Sequence, residues 1–447
     1  MPRPVTPRPI TPRPITPCLG IALILLTIIA GFGFQTGSAT AAEPTPFAWV
    51  EQVSGGSEAR AATSLGHCPF LTIDGRLVPM QARASADAHF PLMICQLKLP
   101  PAARQVSLGE APLPLPKGPP QRIAVFGDTG CRVKVSLIQD CNNPRLWPFA
   151  QVARLAAARH PDLVIHVGDY YYRETPCPPG EPACAGSPSG DNWATWRTEF
   201  FDPARPLLGQ APWVFVRGNH ESCARGGRGW FRLLDAGPAP LACPAASAPF
   251  KVDLGDLNLY VLDSADAADR NAKPEQVERF AGQLNALGAE MAHGRGWIVS
   301  HRPFWGLTPV ARLGPIGPFE VAINQTEQAA AAGRDLGGVQ MVVSGHIHHF
   351  ASFDFGPSRP AQLIAGTGGD VGEDADIARI RTDQVDIDGQ GAERMTFDRF
   401  GYFLLDRAGA DWVGTFRDID DHVVAQCNLH ERRLRCAPAK AGQVEFR

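Results

Sequence analysis

Five short blocks of the chain set side chains that favour metal ions at points where an apolar run ends. In order they are IAVFGDTG with Asp128, VIHVGDYYY with Asp169 and Tyr172, VFVRGNHE with Asn219 and His220, WIVSHRP with His301, and MVVSGHIHH with His346 and His348. Each has the pattern of a buried strand closed by a polar tip, which delivers residues into a crevice at the carboxyl ends of core strands. The donors are oxygen and nitrogen, with no cysteine among them, and are numerous enough for a pair of cations. Paired cations clamp an ester oxygen, supply hydroxide near neutral pH and stabilise a leaving oxygen, which is the chemistry of hydrolysis. Taken singly, the blocks have plainer readings. Gly-Asp after a strand is commonly a turn, and a run of tyrosines can be an edge cluster. Histidines two apart on a strand share a face and can be a solvated pair. All five blocks in one chain outweigh those readings.

This order of motifs resembles the calcineurin-like metallophosphoesterases, over roughly Gln121 to Gly369. Most of that superfamily carries Asp-x-His in the first block; here Asp128-Thr129-Gly130 lacks the histidine, and a tyrosine stands three residues after Asp169. That exchange marks the purple acid phosphatases, where a tyrosinate on ferric iron replaces the histidine. The resemblance implies an α/β fold, a four-layer α/β/β/α sandwich. It also implies a dinuclear centre with Asp169 as the bridge. Asp128, Tyr172 and His348 would complete the Fe(III) site, and Asn219, His301 and His346 would hold a divalent Fe, Zn or Mn ion. His220 would stand near the leaving oxygen as general acid or transition-state stabiliser; its plainer reading is a histidine that holds a ligand in place. Glu221 is expected to orient His220, and His349 to point away from the metals. Arg225 and Arg302 could bind phosphate oxygens; the plainer reading of either is a solvated rim residue. The substrate implied is a small phosphate monoester attacked by metal-bound hydroxide. A phosphodiesterase would use the same ligands. A rival of another class is a non-catalytic protein that keeps the fold to bind phosphate or metal.

Composition narrows the partners and the compartment. The formal charge is −3, and the first 41 residues hold three arginines and no acid, so the remainder is more negative still. That speaks against nucleic acid or an anionic membrane surface. Arg3, Arg8 and Arg13 precede the apolar run Leu19–Phe34, and Ala39-Thr40-Ala41 forms an A-x-A cleavage site. Residues 1–41 therefore read as an export signal rather than an anchor, giving a periplasmic or secreted protein with no stable membrane insertion after cleavage. Beyond Cys18, the cysteines fall into neighbouring pairs: Cys68 and Cys95, Cys131 and Cys141, Cys177 and Cys184, Cys223 and Cys243, Cys427 and Cys436. None has zinc-site spacing, so disulfides in an oxidising compartment are expected, with a bridge between Cys131 and Cys223 left open.

The elements that must carry the blocks follow from periodicity. Residues 42–118 read as a small β-rich N-terminal module, and PLPLPKGPP (Pro112–Pro120) as a stiff linker. Residues 119–447 read as the metallophosphoesterase domain. In it, strands at Arg122–Phe126, Leu163–Val167, Trp213–Val216, Trp297–Val299 and Val339–Val343 alternate with helices at Leu146–Arg159, Glu275–Met291 and Gln325–Arg334. Trp193–Leu208 is expected to be helical but broken at Pro203 and Pro206. Phe250–Leu254 and Leu257–Leu262 form a hairpin across Gly255-Asp256. From His349 onward strands dominate, with Gly368–Phe397 expected as an exposed loop.

Overall fold

The computed structural model describes residues 47–134, 137–310, 319–372 and 379–439. The expected export signal lies outside them. Two large sheets dominate. At the centre of the eleven-stranded sheet, Arg122–Phe126, Leu163–His166 and Trp213–Phe215 run parallel and adjacent. In the eight-stranded sheet, Asn258–Val261, Gly296–Val299, Val339–Ser344 and Ala361–Ala365 do the same.

Alternation along these strands decides what each face meets. Ile123, Val125, Leu163 and Ile165 of the first sheet share one apolar cluster with Trp297, Val299, Met341 and Val343 of the second, so the sheets pack face to face. The residues between them point outward. Ala124, Phe126 and Val164 meet Phe149, Val152 and Ala156 of the helix Phe149–Ala158. On the far side Ile298 and Val342 meet Phe280 and Leu284 of the helix Pro274–Ala286. Strands covered on both faces lose the polar alternation and read as continuous apolar runs, which is why the sequence exposes them clearly.

Three expectations are revised. The stretch expected as a separate N-terminal module supplies Phe47–Val53, Gly56–Thr63, Gln81–Ala84 and Met93–Lys98 to the edge of the eleven-stranded sheet, joined by parallel pairing of Glu51 with Trp213. Only Phe70–Ile73, Arg76–Pro79, Val106–Leu108 and Ala111–Pro112 form a sheet of their own. The loop expected over Gly368–Phe397 contains a hairpin, Arg381–Ile387 with Gln390–Phe397, at the edge of the eight-stranded sheet. Asp388 and Gly389 both have left-handed φ (54° and 69°), the Asp-Gly turn that hairpins favour. Finally, the helix does not break at Pro203 or Pro206. It runs from Trp193 to Leu208, widening to a π turn over Arg197–Phe201.

All five neighbouring cysteine pairs are bridged, and Cys131 joins Cys141 rather than Cys223. Such bridges belong to an oxidising compartment. No helix among the described residues is long and apolar enough to cross a membrane.

Candidate metal centre

The site forms where parallel strands of both sheets end together. Asp128, Asp169 and His346 each follow a glycine and each adopt left-handed φ, at 56°, 59° and 71°. Side chains rarely tolerate that conformation, so surrounding bonds must hold it. Asp128 N–H donates to Gly168 O and Thr129 N–H to Asp169 O, both at 2.9 Å, clamping the first two tips together. Gly345 N–H donates to His301 O at 2.9 Å, clamping the last two. Glycine is required at positions 218 and 345, because a Cβ there would run into the carboxylates of Asp169 and Asp128.

Two groups of donors result: Asp128, Asp169 and His348, and Asp169, His301 and His346, the donor atoms within each lying within 4.8 Å of one another. Asp169 belongs to both. The Tyr172 hydroxyl joins the first group, 2.8 Å from Asp169 Oδ2, 3.0 Å from His348 Nε2 and 3.2 Å from Asp128 Oδ1. The Asn219 carbonyl joins the second, 3.0 Å from His301 Nε2. The structure thus gathers all seven expected ligands. His346 and His348 do so from the turn after Val339–Ser344, not from a strand as expected.

This donor set fits a pair of cations. The Tyr172 hydroxyl has one proton and three acceptor-capable neighbours, and two carboxylates stand beside it in a buried space. Buried anions need a cation or strong donors, and oxygen plus imidazole suits iron, zinc or manganese. Burial opposes ionisation of Asp169, yet His301 and His220 outweigh it and hold the carboxyl well below its usual range. Burial likewise disfavours charge on His301 and His348, but nearby carboxylates win and raise both to about 9. Burial, then Asp169 and Asp128, push the Tyr172 phenol well above its ordinary value. A cation in contact reverses that balance in favour of phenolate.

Supporting contacts choose which ring nitrogens face inward. His301 Nδ1 lies 2.8 Å from Val167 O, leaving Nε2 toward Asp169 at 3.2 Å. His348 Nδ1 lies 3.0 Å from the Arg132 guanidinium, 3.2 Å from Val371 O and 3.3 Å from Asp370, leaving Nε2 toward Tyr172. Such outer partners fix the orientation of both rings, and for His301 the carbonyl also fixes the tautomer. His220 stacks on the Tyr172 ring at 3.8 Å, and its Nδ1 lies 2.7 Å from Glu174. Burial, against Asp169 and Glu174, lowers its pKa to about 4.

Glu221 has a different task from the one expected. Its buried carboxylate accepts the backbone N–H groups of Asp169, Tyr170, Tyr171 and Gly218 at 2.8–3.1 Å, tying the second and third tips together. His349 is buried, and burial lowers its pKa to about 3. Arg225 and Arg302 are paired with Glu174 and Asp269.

Sequence reasoning missed Glu174, Glu199, Asp269 and Asp370. Glu199 accepts the N–H groups of Cys131 and Tyr172, both at 2.8 Å. Asp370 pairs with Arg132 and His348. Only Asp370 carried a signal: the run QLIAGTGGD closes the strand Ala361–Ala365 with a polar tip, just as the five blocks do. A cavity of about 430 Å³, lined by Asp269, Arg270, Thr308, Ile323, His346 and Ile347, adjoins the second group.

Comparison with known proteins agrees with this geometry. Residues 121–350 match the model of the calcineurin-like phosphoesterase family. No curated protein matches the sequence significantly. A purple acid phosphatase from yellow lupin (Lupinus luteus) seeds has a similar structure, at 15% identity over 88% of this chain and 74% of that one, with a TM-score of 0.51. PhoD is similar at 11% identity over 89% of this chain and 92% of that one, with a TM-score of 0.53. At such identities the likeness is one of fold. The family match extends over just more than half of the sequence, and on that ground the protein belongs to the calcineurin-like phosphoesterases.

Proposed function

We propose that this is an exported phosphatase of the purple acid type, hydrolysing small phosphate monoesters at a centre of Fe(III) and a divalent ion. One observation carries the reading. The Tyr172 hydroxyl stands between Asp128, Asp169 and His348, and the first block lacks the histidine that a tyrosinate would replace. Asp128, Asp169, Tyr172 and His348 would hold the ferric ion; Asp169, Asn219, His301 and His346 would hold the divalent one. When bound, the cation pair supplies the hydroxide and neutralises the phosphate.

The chain's own residues do the rest. Neutral donors at Asn219, His301 and His346 leave positive charge on the divalent side for a phosphate dianion. In the acid range, where burial sets its pKa at about 4, protonated His220 is the proton donor to the leaving oxygen, its ring fixed by Tyr172 and Glu174 and its Nε2 3.9 Å from Asp169 Oδ2. The cavity beside His346 has room for the organic part of the ester. Five bridges and the basic, apolar N-terminus support a periplasmic or secreted location.

Metal analysis, a visible spectrum and paired hydrolysis assays test this. Purified protein should hold two ions per chain, show a visible charge-transfer band with iron, and cleave an aryl phosphate monoester faster than the diester. Active, colourless protein with two divalent ions would leave a homodivalent phosphoesterase instead. Faster diester cleavage would make it a phosphodiesterase.

A further inference from the structure

The loop from Asp263 to Asn271 brings a carboxylate to the second group that no sequence signal announces. Asp269 Oδ1 and Oδ2 lie 3.0 and 3.1 Å from His346 Nε2, and Arg302, paired with the same carboxylate, has its Nη1 2.7 Å from that nitrogen. The loop is fastened on both sides. Gln325 N–H donates to Asp269 O at 3.1 Å, and Thr326 Oγ1 meets both Ala268 N–H and Ala268 O at 3.0 Å. Arg302 N–H donates to Ser264 Oγ at 2.9 Å.

These contacts offer His346 two tautomers. With the proton on Nε2, that N–H and the Arg302 guanidinium both point at the Asp269 carboxylate, and the Nδ1 lone pair is left bare. With the proton on Nδ1, the single Nε2 lone pair accepts from Arg302 at 2.7 Å, and the Asp269 carboxylate stands 3.0 Å from a nitrogen that offers it no proton. Only the first arrangement leaves a nitrogen able to bind a cation, and only Asp269 favours it. Arg302 alone would favour the second.

We infer that Asp269 is a positioning residue that keeps the proton on His346 Nε2 and so makes Nδ1 the donor to the second cation, with Arg302 as a competitor that Asp269 holds in check. The inference rests on the dinuclear reading above and concerns the divalent side alone.

Chelator competition on the full chain measures both ions separately. Asp269→Ala should weaken the weaker-bound ion by about 10- to 100-fold, the usual effect of losing an outer partner of a histidine ligand, while the other ion keeps its affinity. Asp269→Asn, which retains one acceptor oxygen, should lose less. Adding Arg302→Met to Asp269→Ala should recover part of the loss, because the competing donor is gone; a merely structural role would predict further damage. Unchanged affinity in Asp269→Ala, equal loss of both ions with a lowered melting temperature, or further loss in the double variant each overturns the inference. If the wild-type chain itself binds fewer than two ions, the functional reading fails and takes this inference with it.

Discussion

Three consecutive tyrosines have three different fates. Tyr170 is buried with its hydroxyl 3.1 Å from Val216 O, and Tyr171 stacks on Trp196 at 6.3 Å. Only Tyr172 turns to the carboxylates. Tyr172→Phe should therefore lose iron affinity and any visible band, whereas Tyr170→Phe should keep the band and lose stability, by about 1–3 kcal/mol for the stranded backbone groups. A spectrum and a melting curve of each variant decide it; an unchanged band in Tyr172→Phe sinks the tyrosinate assignment. For His220, replacement by alanine should lower kcat by roughly 10²–10⁴ with both ions retained. The deficit should shrink for esters with acidic leaving groups, which need little protonation. Equal loss across leaving groups would return His220 to a structural role. The seven candidate ligands were legible because a polar residue closing an apolar run is unusual and recurs, and Tyr172 was picked out from its two neighbours by the spacing of the family that the motifs resemble. Glu199 and Glu221 left no such trace, since their partners are backbone N–H groups far away in sequence.

Among the elements, the short helix Gln325–Ala331 carries a buried acid that makes stability depend on pH. Glu327 lies buried in its first turn, with neither carboxylate oxygen hydrogen-bonded to protein. Burial, opposed by Arg302, raises its pKa to about 8. The folded state thus keeps a proton that the unfolded chain releases above about 4.5. Stability from the neutral form is complete below that value and is lost as pH rises toward 8. Glu327→Gln should flatten the fall in melting temperature between pH 5 and pH 8, leaving the variant relatively more stable at the alkaline end. Identical slopes for the two proteins would show that Glu327 stays charged in the fold. Element type was readable wherever both faces of a strand are apolar. It was missed in Arg381–Phe397, where Asp, Gly and Arg conceal the burial of Ile387 and Ala392 on one face and Met395 on the other. The Asp388-Gly389 turn was there to be read. The joining of Phe47–Val53 to Trp213–Phe215 was not, because partners so distant in sequence leave no local pattern.

At the scale of the whole molecule, the candidate ligands come from both sheets: Asp128, Asp169 and Asn219 follow strands of the larger one, and His301 and His346 follow strands of the smaller. Cations bound there link the two sheets at one end of their shared core. Because they bind the folded arrangement only, chelation should lower the melting temperature, and added metal should restore it in proportion to the logarithm of its concentration. A melting temperature indifferent to chelator would place the ions outside the fold's stability. The motif order announced that such a centre exists, yet nothing in it told which tips belonged to which sheet.

The bridges carry a consequence for how the chain is made. Every one joins a cysteine to the next in sequence, across separations of 7 to 27 residues, with none nested or crossed. If the chain is exported as proposed and its signal, with Cys18, is removed, threading through a translocon from the N-terminus presents each correct partner before any wrong one emerges. On that route vectorial oxidation alone should yield the native pairing, with no isomerase needed to shuffle it. Denatured, reduced protein loses that ordering, since all ten thiols then compete at once. Exported protein should arrive fully bridged from a host with a thiol oxidant and no disulfide isomerase, with no free thiol on titration in denaturant. The same chain refolded in vitro from the reduced state should give scrambled species unless an isomerase is supplied.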